Sequence, residues 1–136
     1  MRVLLTVSQM LVRITGVLLL ILGLLIWAEG MRNLVLPHIL LGLILVISLW
    51  VLAATAARLG APMGMAVGLF ILALIVLVLG VNQQSLFASV PVGLIWVVQV
   101  VHLLLGMAAV GMAEALGGRL RRAQGERVTL SSRADV

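Results

Sequence analysis

Two histidines, His38 and His102, are the side chains in this chain best suited to chemistry. Within an apolar segment an ionisable ring is costly unless it binds something, and neutral imidazole nitrogens are good metal ligands. Each histidine is followed four residues later by a glycine: His38 to Gly42 reads HILLG, and His102 to Gly106 reads HLLLG. A glycine one helical turn from a ligating imidazole removes the side chain that would strike the face of a flat macrocycle held at that ring. The simpler alternatives are local. His102 can be a neutral ring bonded to backbone or to Gln99 one turn away, and His38, near a span entrance, can meet water.

Other chemistries lack their residues. There is no cysteine, which removes disulfides, thiolate metal sites and cysteine nucleophiles. The only aspartate is Asp135, so no Ser-His-Asp arrangement can be built among the apolar segments. No glycine-rich phosphate loop precedes a soluble helix. Hydrolytic and nucleotide-driven activities are therefore disfavoured. The net charge of +5 comes entirely from arginine. Those arginines flank apolar runs or lie in the tail instead of forming a patch with aromatics, so nucleic acid is not an expected partner. The seven methionines read as packing residues.

The elements that must position the histidines are membrane spans. The 136 residues are 64% apolar and 10% charged, with a mean hydropathy of +1.34, more apolar surface than a soluble domain of this size can hide. About 20 helical residues cross the hydrocarbon layer. Four runs come near that length: residues 11–28, 36–57, 62–81 and 91–116. Residues 6–9 form a polar lead-in able to extend the first helix into the headgroups. The first run lacks a small-residue cleavage site and reads as a retained helix. Pro37, Pro62 and Pro91 all sit at span entrances, where a missing N–H costs nothing. Gly117 and Gly118 are expected to end the fourth span. Residues 1–117 then form one bundle and residues 118–136 a polar cytoplasmic tail.

Short connections predict an all-α, up-down-up-down four-helix bundle. Arg2, Arg13, Arg58, Arg119, Arg121 and Arg122 fall on one side and Arg32 on the other. The arginine-rich side is the cytoplasm, so both termini are inside, and the expected location is the cell inner (plasma) membrane, in multi-pass form. The loop holding Glu29 and Arg32 and the polar loop at residues 82–89 face outward.

Lipid is as apolar as leucine, so small and polar residues mark the faces turned toward other helices. Such stripes are Gln99, His102, Gly106, Ala109 and Ala113 in the fourth span, and Gln9, Arg13, Gly16, Gly23 and Trp27 in the first. In the second, His38 and Gly42 lead toward Leu49, Ala53 and Ala56. Gly60, Gly64 and Gly68 make a doubled small-xxx-small pattern at the third. Arg13 is expected to snorkel to the headgroups, with Glu29 and Glu114 solvated at span ends. Trp27 and Trp96 suit the outer interface; Trp50 lies deeper, against a ring or lipid.

Spans two and four would be diagonal neighbours about 13 Å apart, a gap that accepts a flat macrocycle between two inward imidazoles. Their relative depth depends on the count used. From the outer boundary, His102 lies 11 residues past Pro91 while His38 is at the entrance, a difference of roughly 16 Å. From the cytoplasmic arginines, Arg58 to His38 is 20 residues and Arg119 to His102 is 17, a mismatch of about 5 Å. A tilt of about 20° absorbs the second value and not the first.

In this arrangement the chain, over about residues 10–117, resembles the four-helix b-type membrane cytochromes, in which axial histidine pairs on alternate helices clamp haem and glycines on packing helices make room. The resemblance implies one haem b held by His38 and His102, clearance at Gly42 and Gly106, Gln99 as a partner behind a ligand, and Arg32 near the haem propionates. It departs in offering one histidine pair where those cytochromes carry two haems on four. A single haem toward the outer half implies exchange between a quinol and an external acceptor, or one stop in a larger complex, more an electron carrier or subunit than a stand-alone enzyme. The chain is then expected to act as a homo-oligomer or as part of a larger membrane complex. The rival expectations are a non-catalytic accessory or self-associating bundle, for which the glycine stripes suffice, and a small proton-coupled transporter, disfavoured by the lack of an acidic residue near any span centre.

Overall fold

The structure, a computed structural model, describes the backbone of residues 2–134 and the side chains of residues 3–123. It is helical throughout, with no strand among the described residues. The helices are α1 (Arg2–Glu29), α2 (Val35–Arg58), α3 (Met63–Val81), α4 (Gln83–Ser89) and α5 (Ile95–Ala134). Four of them, all but α4, are long and apolar enough to cross a membrane. In hydrocarbon every backbone polar group needs a partner from its own segment, which is why uninterrupted apolar runs become helices there.

The starts and turns follow local chemistry. α1 begins well before its apolar run and takes in the polar lead-in. A 3-10 turn precedes each of α2 (Arg32–Leu34) and α5 (Val92–Leu94), the second opened by Pro91. Pro37 sits in the first turn of α2, and Pro62 caps α3. The turn after α2 needs a glycine. Gly60 has φ +83, and the Gly60 N–H donates to Ala57 O (3.2 Å) while the Ala61 N–H donates to Ala56 O (3.0 Å). That pair of bonds closes the helix end through a left-handed residue. Gly60 therefore belongs to the turn and not to a packing stripe with Gly64 and Gly68.

Two expected boundaries are corrected. The loop at residues 82–89 contains the short helix α4. The fourth span does not stop at Gly117 and Gly118; α5 continues as helix to Ala134. Neither glycine has a positive φ, so neither acts as a terminator. Leu116 and Leu120 are both buried in the core together with Leu5 of α1, so the bundle extends past residue 117. Asp135 lies outside the described residues.

The spanning helices form a ring of contacts: α1 with α2, α2 with α3, α3 with α5, and α5 with α1. Across the ring, α2 also touches α5. The core that fills it includes Val12, Leu49, Leu52, Ala56, Leu69, Ala73, Ala109, Ala113 and Leu116. The small-residue faces of α2 and α5 are thus where they were expected. Trp27, by contrast, is exposed. Three buried hydroxyls satisfy themselves within their own helix: Thr15, Ser48 and Thr55 each donate to the carbonyl four residues earlier.

Candidate functional site

Both histidines lie on the two helices that meet across the ring, His38 in the first turn of α2 and His102 in the second turn of α5. Each is half-buried. Each ring is seated against a glycine of the spanning helix that precedes it in the chain. A Cβ added at Gly23 of α1 would lie 3.4 Å from His38 Cε1, and one added at Gly80 of α3 would lie 3.0 Å from His102 Cε1. In both cases the carbon between the two ring nitrogens is the nearest ring atom. The glycine is what lets that edge of the imidazole approach the neighbouring backbone.

The nitrogens are poorly served by the protein. His38 Nδ1 and His102 Nδ1 are buried and have no hydrogen-bond partner. A buried polar atom left unpaired costs about 1–3 kcal/mol, so the same omission at two sites calls for an explanation. Gln99 makes no bond to His102 Nδ1, although it lies one turn away.

The other expected site residues are distributed as follows. No imidazole atom lies within 4 Å of a Cβ placed at Gly42 or Gly106: the first would meet only Leu19 Cδ2 at 4.0 Å, and the second meets nothing. Arg32 is exposed in the 3-10 turn leading into α2. Gly23 and Gly80 were not singled out as ring-facing positions by spacing along each histidine's own helix. The donor set, two imidazoles lacking protein hydrogen-bond partners, fits the axial pair of a haem in number and kind. Among the described residues no group of three or more His, Cys, Asp or Glu is gathered for a metal ion.

A second polar cluster, absent from the sequence reading, joins α1 to α5. Arg13 donates from Nε to Glu114 Oε1 (2.8 Å) and from Nη2 to Glu114 Oε2 (2.7 Å), a two-point fork between planar groups. Arg13 is therefore paired with an acid, not simply extended toward headgroups. One turn toward the helix start, buried Gln9 accepts a hydrogen bond from Arg121 Nη1 (2.8 Å) and presses its amide onto Gly117. The signal for this cluster was present: Arg13 and Glu114 are opposite charges inside apolar runs of the first and fourth spans.

These features define a small helical membrane protein with one histidine on each of α2 and α5, two helices that touch across the ring. No protein family, curated protein or solved structure matches the chain.

Proposed function

We propose that this chain is a haem-binding, b-type cytochrome-like electron-transfer protein or subunit, with one haem b held between the second and fourth spans by His38 and His102. The observation that supports it is the pair of buried ring nitrogens without protein partners, one on α2 and one on α5. In this reading a bound haem supplies one-electron redox chemistry. The chain's own work is to hold two neutral imidazoles at a common level, to keep water from their buried edges, and to leave room at Gly42 and Gly106. In this reading Arg32, exposed in the turn that leads into α2, would pair with propionates, and Gln99 would serve as a ligand's partner.

The topology we propose is up-down-up-down, with both termini inside the inner (plasma) membrane. Paired contacts support it: Gly23 meets His38 while Gly42 meets Leu19, Gly16 meets Val110 while Gly117 meets Gln9, and Gly80 meets His102 while Gly68 meets Met112, so positions rise on one helix as they fall on the other. The orientation rests on the arginine distribution. A quinol and an external acceptor are the proposed redox partners, and self-association or assembly into a larger membrane complex is part of the proposal.

One observation favours a different reading, a non-catalytic structural or accessory bundle. Gly16, Gly68 and Gly117 receive Val110, Met112 and Gln9 from facing helices, so much of the glycine serves packing alone. An absorption spectrum of the detergent-purified protein separates the two. A Soret band with α and β bands sharpening on dithionite reduction supports the cytochrome, and His102→Ala should then abolish the six-coordinate spectrum. A colourless preparation that reconstitutes no haem overturns it.

A further inference from the structure

The groove on the outside of α2 and α3 carries an inference independent of the histidines. Trp50, Ala53, Ala54 and Ala57 of α2 and Met63, Ala66, Val67 and Phe70 of α3 line an open, shallow groove of about 210 Å³. Both sets follow the three- and four-residue steps of a single helix face. On α2 the alanines leave the space by omitting bulk. At its deep end Trp50 stacks on Phe70, with ring centroids 5.1 Å apart, and Trp50 Nε1 donates to Phe70 O (3.3 Å). The wall is therefore held in place before anything enters, which lowers the ordering cost of binding.

The other end of the groove opens at the turn between α2 and α3. There Arg58 continues the Trp50, Ala54 step along the same face and is exposed, with no ion-pair or hydrogen-bond partner among the described residues. An apolar slot ending at an unpaired cation has the chemistry of an anionic phospholipid: phosphate at the interface, chain running inward along the helices.

We propose that this groove holds one acyl chain of an anionic phospholipid whose phosphate pairs with Arg58. The test uses full-length protein carrying Trp27→Phe and Trp96→Phe, so that Trp50 is the sole tryptophan, in phosphatidylcholine vesicles. Dibrominated phosphatidylglycerol or dibrominated phosphatidylcholine is then added at equal mole fraction. The anionic lipid should reach half-maximal quenching of Trp50 at about one-fifth the mole fraction of the zwitterionic one, the preference expected of one arginine near the surface. Arg58→Gln, at an exposed turn, should erase that preference, and Arg58→Lys should keep most of it. Ala54→Leu should weaken quenching by both lipids by filling the slot. Equal quenching by the two lipids in the parent overturns the proposal, as does a preference that survives Arg58→Gln. Competition by inorganic phosphate also overturns it, since that would mean a headgroup site without a chain.

Discussion

His102 Cε1 approaches Gly80 so closely that a Cβ there would sit 3.0 Å from it, whereas the matching distance from Gly23 to His38 Cε1 is 3.4 Å. The difference decides the sign of two like substitutions. Alanine gains about 1 kcal/mol over glycine inside a helix. At Gly23 the new methyl makes ordinary contact, so Gly23→Ala should be neutral or stabilising. At Gly80 the imidazole must move, and overpacking of this kind costs about 1–3 kcal/mol, so Gly80→Ala should come out net destabilising by roughly 1 kcal/mol. Chemical unfolding in detergent micelles compares them, and equal stabilities would show that the His102 ring has room to spare.

The unpaired ring nitrogens predict a conflict between stability and function. Replacing a buried unsatisfied group by an apolar one of similar size removes its desolvation penalty. His102→Leu should therefore raise the unfolding free energy of haem-free protein by about 1 kcal/mol, within the 1–3 kcal/mol such a group can cost. The same variant should lose any bound haem. A thermal midpoint below that of the parent, both measured without haem, would mean that the imidazole makes contacts that outweigh its orphaned nitrogen.

The first three spans were legible because hydrophobic length and the entrance prolines act within a few residues of each other, whereas Gly60, read as the start of a packing stripe, closes the turn after α2. The end of the fourth was not, because Gly117 has a tertiary role. Its missing side chain admits Gln9 from α1, and nothing near residue 117 in the chain reveals that. Likewise, the search for room around each imidazole ran along its own helix to Gly42 and Gly106. The rings instead meet Gly23 and Gly80, which lie on other helices and depend on how those helices are rotated. Gly23 did stand in the inward stripe of the first span, so half of that relationship was readable. Arg13 and Glu114 looked like separate span-end charges because their contact appears only when the ring of helices closes between α1 and α5.

Gly117 and Gly118 offer a matched test of that closure. Both lie within the continuous helix α5, so propensity alone favours alanine at each by about 1 kcal/mol. At Gly118 a Cβ meets nothing within 4 Å, and at Gly117 it would overlap the Gln9 amide. Gly118→Ala should thus hold or raise stability, while Gly117→Ala should lower it by about 1–3 kcal/mol as Gln9 is expelled. The double variant Gln9→Ala/Gly117→Ala should recover most of the loss. If Gly117→Ala is as stable as Gly118→Ala, Gln9 does not occupy that gap.

The Arg13–Glu114 fork joins helices distant in sequence, so its effect is best read as a coupling. Removing either charge strands the other beside the bundle in a setting where water is scarce, and an unpaired charge there is worse than none. Arg13→Gln and Glu114→Gln should each lower the thermal midpoint in lipid nanodiscs. Arg13→Gln/Glu114→Gln should lie closer to the parent than either single variant, because two amides can still share a hydrogen bond. Raising salt should do little to the parent midpoint, since the two-point fork holds both groups in direct contact and screening acts mainly on charges set farther apart. Additive losses in the double variant would show that Arg13 and Glu114 act separately, each solvated by headgroups.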